Sequence, residues 1–116
     1  MSFQIPKEIQ EKLGRFEQLK AQLQVVMGQR SEMEARVKEL DDAVSALSEK
    51  GNGEIYRKVG DLMFKVEDKG SLEKEMVEEK ETLSVRLSSL KKQEDNMKEM
   101  YEELGSEINE SLKGYQ

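Results

Sequence analysis

The stretch Glu54-Ile-Tyr-Arg-Lys-Val-Gly-Asp-Leu-Met-Phe-Lys-Val66, near the middle of the chain, decides the fold. Most of its residues are β-branched, aromatic or otherwise apolar, and such residues favour strands. At its centre stands Gly60-Asp61, and glycine is the residue wanted at the first central position of a type II′ turn. The stretch therefore predicts a β-hairpin closed by a two-residue loop.

This turn fixes which residues pair across the hairpin. Val59 would oppose Leu62, and Arg57 would oppose Phe64; partners across the strands share a face. One face would then be apolar apart from Arg57, and it would carry Ile55, Val59, Leu62, Phe64 and Val66. The opposite face would carry Tyr56, Lys58, Met63 and Lys65.

A two-stranded hairpin is marginally stable alone in water, and both of its edges are open to pairing. The rest of the chain is committed to another contact, described next, so we expect another chain to cover the hairpin. The residues expected to form this oligomer contact are Ile55, Tyr56, Val59, Leu62, Phe64 and Val66.

The two arms that flank the hairpin have the heptad pattern of a coiled coil, with apolar residues at alternating steps of three and four. We call this row of positions the seam. In the first arm it holds Ile5, Ile9, Phe16, Leu19, Leu23, Val26, Met33, Val37, Leu40, Val44 and Leu47. In the second arm it holds Met76, Leu83, Leu87, Leu90, Met97, Tyr101, Leu104 and Ile108.

Two arms of nearly equal length around a central reversal predict a mainly α fold: a long antiparallel two-helix coiled coil with one central β-hairpin. The 116 residues would form a single domain, with helices over about residues 6–50 and 71–113 and the hairpin over about 54–67. Pro6 suits the first helical position, Gly51-Asn52-Gly53 would end the first helix, and Ser71 would cap the second.

Four charged residues interrupt the seam, Lys12 and Arg30 in the first arm and Lys80 and Glu94 in the second. Of these, Arg30 and Glu94 lie at nearly the same distance from the turn. Folding the arms back brings them to one level, so we expect an ion pair inside the coil that specifies the register. The alternative is that both side chains extend past the seam into solvent.

The composition favours a binding or structural protein over an enzyme. Charged residues make up 38% of the chain, the net charge is −6, and the acidic residues are spread along the sequence, which disfavours nucleic acid as a partner. Histidine and cysteine are absent, so the usual catalytic bases, nucleophiles and soft metal ligands are missing. We expect no cofactor, no metal site and no membrane partner, and the lack of cysteine and of a signal-peptide pattern favours the cytoplasm.

Apolar residues accumulate where the two ends of the chain would meet. Exposed apolar patches mark interaction surfaces. The alternative is an ordinary seam carried to its last turn, since single exposed apolar residues are normal.

Taken whole, the chain resembles the beta-type subunits of the prefoldin family, cytosolic co-chaperones of archaea with eukaryotic relatives. The resemblance is carried by Ile5-Pro-Lys-Glu-Ile-Gln-Glu-Lys-Leu13 and Phe16-Glu-Gln-Leu19 at the start, and by the hairpin segments Ile55-Tyr-Arg-Lys-Val-Gly60 and Leu62-Met-Phe-Lys-Val66. The second arm adds Glu81-Thr-Leu-Ser-Val-Arg-Leu87 and Leu90-Lys-Lys-Gln-Glu94. Alpha-type subunits carry two hairpins where this chain has room for one.

The resemblance implies a hetero-hexamer of two alpha-type and four beta-type subunits, whose hairpins join into an intersubunit β-barrel. It also implies an ATP-independent holdase that grips unfolded polypeptides at the coil tips and delivers them to a group II chaperonin. The client-binding residues it implies are Phe3, Ile5, Ile9, Leu13, Phe16, Leu104, Ile108, Leu112 and Tyr115.

Two other hypotheses remain at this stage. The chain could be a structural coiled-coil tether whose tip recognises one defined protein partner. It could also form a parallel homodimer with continuous arms, although Gly51-Asn52-Gly53 and the hairpin argue against an unbroken helix.

Overall fold

The fold was obtained as a computed structural model, which describes residues 5–49 and 53–114. Helix α1 spans Lys7–Glu49, strand β1 Tyr56–Val59, strand β2 Leu62–Lys65, and helix α2 Lys69–Lys113. The predicted fold class, mainly helical with one central hairpin, is confirmed. The helix end predicted at Gly51-Asn52 lies outside the described residues.

The hairpin has the register that its turn chemistry predicts. Val59 pairs with Leu62 and Arg57 with Phe64 in an antiparallel ladder. Beyond the ladder, the amide of Val66 donates to the carbonyl of Ile55 at 2.8 Å. Gly60 has a φ of 60°. No residue other than glycine has a positive φ in the described segments, so the φ of Asp61 is negative. This combination is that of a type II′ turn.

The second helix is capped by Asp68, and the prediction that Ser71 caps it is wrong. The Asp68 side chain accepts a hydrogen bond from the amide of Ser71 at 3.0 Å, and its carbonyl accepts one from the amide of Leu72. A carboxylate at this position satisfies a free amide and also interacts favourably with the helix dipole. The first helix begins at Lys7, with Pro6 as the residue before it.

The described residues form two compact units. The terminal unit comprises 5–31 with 89–114. Contacts between its two helical segments join Lys12 to Glu107, Phe16 to Tyr101 and Arg30 to Glu94. Residue numbers rise along α1 as they fall along α2, so the segments are antiparallel.

The hairpin unit comprises 32–49 with 53–88. Its helical segments are joined by ion pairs from Arg36 to Glu79 and from Lys80 to Asp41. In both units the buried apolar residues are seam positions predicted from the heptads: Ile9, Leu23, Val26, Leu40, Leu47, Leu87 and Ile108. Along the described helices, no segment combines the length and hydrophobicity that crossing a bilayer requires.

Candidate functional site

The apolar face of the hairpin is open to solvent. Val59 is 55% exposed, Leu62 62% and Phe64 52%, whereas Ile55 and Val66, nearer the helices, are half-buried. The chain's own helices therefore leave the outer part of this face uncovered. An apolar ribbon with uncovered edges is suited to contact with another chain.

Exposed polar contacts surround the base of the hairpin. Arg57, which interrupts the apolar face, reaches Glu75 on α2, with 3.4 Å between Nη1 and Oε2. Glu54 contacts both strands, because its Oε2 accepts a hydrogen bond from the Tyr56 hydroxyl at 2.7 Å and its Oε1 lies 3.8 Å from Lys65 Nζ. The bond to Glu54 raises the pKa of Tyr56. These contacts involve only polar side chains, so Val59, Leu62 and Phe64 remain exposed to solvent.

A second surface lies in the terminal unit, where an apolar groove runs between α1 and α2. Its lining residues are Leu13, Phe16, Gly105, Ser106, Ile108, Asn109 and Leu112. Four of them are residues that the family resemblance marks for client binding, and none of the seven carries a charge. We call this surface the apolar groove.

The remaining residues of that set are distributed differently. Ile5 is exposed, and Leu104 is half-buried outside the apolar groove. Ile9 is buried in the seam. Of the four residues that do line the apolar groove, Ile108 is also a seam residue and is only 7% exposed, so little of its side chain is accessible there. Phe3 and Tyr115 lie outside the described residues.

The wall of the apolar groove is shaped by an aromatic stack against a glycine. The rings of Phe16 and Tyr101 stack with 4.4 Å between centroids and 15° between planes. A Cβ atom on Gly105 would lie 3.3 Å from Phe16 Cε2, so the absence of a side chain at Gly105 leaves room for the phenyl ring. Sequence reasoning did not single out Gly105. Its position inside a helix, where glycine costs about 1 kcal/mol relative to alanine, is the feature that could have revealed it.

Arg30 and Glu94 meet inside the terminal unit, as their interruption of the seam predicts. Arg30 donates from Nε to Glu94 Oε2 at 3.1 Å and from Nη2 to Oε1 at 3.0 Å, a two-pronged contact. Glu94 is only 5% exposed, and Arg30 is half-buried. The Arg30 hydrogen bond holds the pKa of Glu94 below its ordinary value, and Lys98 and Lys91 act in the same direction.

The chain is similar to known proteins over nearly its whole length. A family model described as "Prefoldin subunit" matches residues 10–115. The prefoldin subunit beta of Saccharolobus islandicus strain L.S.2.15 is 36% identical, with 99% of this chain and 91% of the relative covered. That of Methanothrix thermoacetophila is 31% identical, with 97% and 93% covered. The crystal structure of the prefoldin beta subunit from Thermococcus strain KS-1 matches with a TM-score of 0.78 and 32% identity, covering 94% of this chain and 96% of that one.

Proposed function

This chain belongs to the prefoldin subunit family, which is a family of chaperones, and we propose that it is a beta-type subunit that holds unfolded polypeptides without using ATP. In this proposal the hairpin joins the chain to other subunits, and the apolar groove grips the client. The observation that carries the client-binding role is the composition of that groove, which has four large apolar residues and no charged one.

Assembly through the hairpin is supported by the exposure of Val59, Leu62 and Phe64. The apolar face of the hairpin needs apolar side chains to pack on it, and both strand edges need backbone groups to pair with. A hairpin from a neighbouring subunit supplies both. We propose a complex of two alpha-type and four beta-type subunits in which the hairpins close into a barrel. A closed barrel removes every open edge.

Grip by the apolar groove is supported by the kind of contact it offers. Apolar side chains exposed by an unfolded protein bind there through burial of surface, which is non-directional and therefore tolerant of sequence. The absence of charged lining residues means that no buried charge has to be paired by the client. Such a groove suits many unfolded proteins rather than one folded partner.

The test is a double variant of the groove, Leu13→Asp with Leu112→Asp, assembled with an alpha-type subunit. Aggregation of two unrelated chemically denatured proteins is followed by light scattering. We expect the variant complex to keep its native mass and to lose most of its suppression of both clients, because two carboxylates would have to be desolvated on binding.

The matched control is Val25→Asp with Val85→Asp. These two valines are 60% and 73% exposed and lie outside the groove, so the same number of charges is added to an uninvolved surface. The control complex should suppress aggregation like the unmodified one. Equal suppression by the groove variant would reject the groove as the grip. Protection of a single client by the unmodified complex would favour a tether that recognises one partner.

We also propose that the bound client passes to a group II chaperonin, on the strength of family membership. Contacts that are individually weak let the client leave without nucleotide hydrolysis once a competing surface is offered. A labelled client bound to the complex should be released on adding such a chaperonin in the absence of ATP, as measured by fluorescence anisotropy. Retention of the client at saturating chaperonin would count against this step.

A further inference from the structure

A second groove lies in the terminal unit, and it shares no residue with the apolar groove. Its lining residues are Arg15, Gln18, Leu19, Gln22, Met100, Glu103, Leu104 and Glu107. With about 100° of rotation per residue, Met100 and Glu103 project on one side of the α2 seam while Gly105 and Leu112 project on the other. We call this second surface the charged groove.

The floor of the charged groove is apolar and accessible. Met100 is 56% exposed, and the seam residues Leu19 and Leu104 are half-buried beside it. Methionine is unbranched and polarizable, so it adapts to side chains of different shapes. The floor therefore offers burial to apolar side chains without demanding a single shape.

The walls of the charged groove differ in sign. Glu103 and Glu107 form the α2 wall, and Arg15 is the cation that lines the α1 wall. Between residues 99 and 110, α2 carries five glutamates and neither lysine nor arginine. Within residues 5–49 and 53–114, Glu103 makes no ion pair, and Glu107 reaches only the half-buried Lys12, at 3.8 Å. The α2 wall is therefore an acidic surface that its own molecule leaves largely uncompensated.

We propose that the charged groove binds unfolded segments in which a large apolar side chain stands next to lysine or arginine. The apolar side chain packs on Met100, Leu19 and Leu104, and the cation pairs with Glu103 and Glu107. This proposal rests on the client-binding function proposed above and specifies the chemistry of client segments that the second groove selects. The apolar groove, which has no charge, makes no such selection.

The test uses three short unfolded peptides that share one apolar core and carry lysine, glutamine or glutamate on either side of it. Binding to the complex of this chain with an alpha-type subunit is measured by fluorescence anisotropy. We expect the lysine peptide to bind about fivefold more tightly than the glutamine peptide at low salt, and the glutamate peptide to bind least. The difference should nearly vanish at 1 M salt, where the screening length falls to about 3 Å.

Two double variants locate the effect. Glu103→Gln with Glu107→Gln should abolish the preference for the lysine peptide over the glutamine peptide. Glu102→Gln with Glu110→Gln removes the same charge from positions outside both grooves and should keep the preference. Loss of the preference in both variants would assign it to the general field of α2 and overturn the proposal.

Other outcomes separate this proposal from the one it rests on. Equal binding of all three peptides with aggregation suppression intact would overturn the charge selection and leave the holdase function standing. Failure to bind any peptide, together with no suppression, would reject both. A change in the native mass of the complex on Met100→Asp would assign the charged groove to contact between subunits and overturn its role with clients.

Discussion

Glu94 is a carboxylate at a seam position, where the heptad pattern normally has an apolar residue. Removing a charge from water is unfavourable, and the two hydrogen bonds from Arg30 offset this only because their geometry is good. A pair of this kind adds little net stability compared with two apolar residues, but breaking it is costly. Its consequence is specificity: any shift of one helix along the other would leave Glu94 buried without its partner.

The Arg30 contact makes the stability of the terminal unit depend on pH. Because the folded-state pKa of Glu94 is depressed, its contribution is fully present above the unfolded value of about 4.3 and is lost as pH falls through the folded pKa. We expect Glu94→Gln to lower the melting temperature near neutral pH, and the gap from the unmodified chain to narrow below about pH 4. Circular dichroism melts from pH 7 to pH 2 measure this.

The two proteins differ only at residue 94, so the difference between their melting temperatures at each pH reports on that position. A difference in melting temperature that stays constant over the whole pH range would contradict the depressed pKa.

The paired reversal Arg30→Glu with Glu94→Arg should recover most of the melting temperature lost by either single reversal. Failure to recover would show that the two charges do not stabilise each other.

Asp68 and Ser71 provide a second prediction at this scale. Asp68→Ala removes the hydrogen bond to the Ser71 amide and should lower the free energy of unfolding by about 1 kcal/mol. Ser71→Ala leaves that bond intact and should change the free energy of unfolding by less than about 0.5 kcal/mol. Urea denaturation followed by circular dichroism compares the two, and the reverse order would restore Ser71 as the cap.

At the scale of elements, the hairpin can be separated from the helices by mutation. Leu62→Asp with Phe64→Asp places two charges on the exposed apolar face and should prevent assembly with an alpha-type subunit. Helical content should stay unchanged, since neither side chain is buried against the chain's own helices. Native mass spectrometry of co-expressed subunits reports assembly, and Val85→Asp serves as an exposed control on α2. A complex of normal mass would reject the assembly role of the hairpin.

The helices contain glycines of two kinds. A Cβ atom at Gly14 or Gly28 would have no neighbour within 4 Å, whereas one at Gly105 would meet Phe16 at 3.3 Å. Gly14→Ala and Gly28→Ala should each raise the free energy of unfolding by about 1 kcal/mol. Gly105→Ala should raise the free energy of unfolding by less, because the phenyl ring of Phe16 has to shift. Denaturation of the three variants tests this, and an equal gain at all three positions would remove the packing role of Gly105.

The parts of the fold that follow local rules could be predicted from the sequence. The Gly60-Asp61 turn fixes the hairpin register, and the heptads identify every buried apolar residue in the described segments. The cap of α2 was missed because Asp68 and Ser71 are both good caps, and only the backbone path decides between them. The charged groove was missed because Met100 falls off the heptad positions. Which side of the coil a residue outside the seam faces depends on the rotation of both helices.

At the scale of the whole molecule, the proposed grip is multivalent. Several weak grooves that hold one client act through effective concentration, so affinity rises far more steeply than the number of grooves. Complexes can be reconstituted from mixtures of the unmodified chain and the Leu13→Asp, Leu112→Asp variant. Aggregation suppression should then fall faster than the fraction of the unmodified chain, as measured by light scattering with composition checked by native mass spectrometry. A linear fall would mean that each groove works alone.

The uncovered ribbon of Val59, Leu62 and Phe64 also has a consequence for the cell that makes this chain. Copies synthesised in excess of their partner subunits expose this apolar face and both strand edges. Unassembled subunits of this kind are prone to aggregate or to be degraded. In the assembly proposed above, balanced production of the different subunits keeps these residues covered. Overproducing this chain alone should trigger a proteotoxic stress response that the Leu62→Asp, Phe64→Asp form does not.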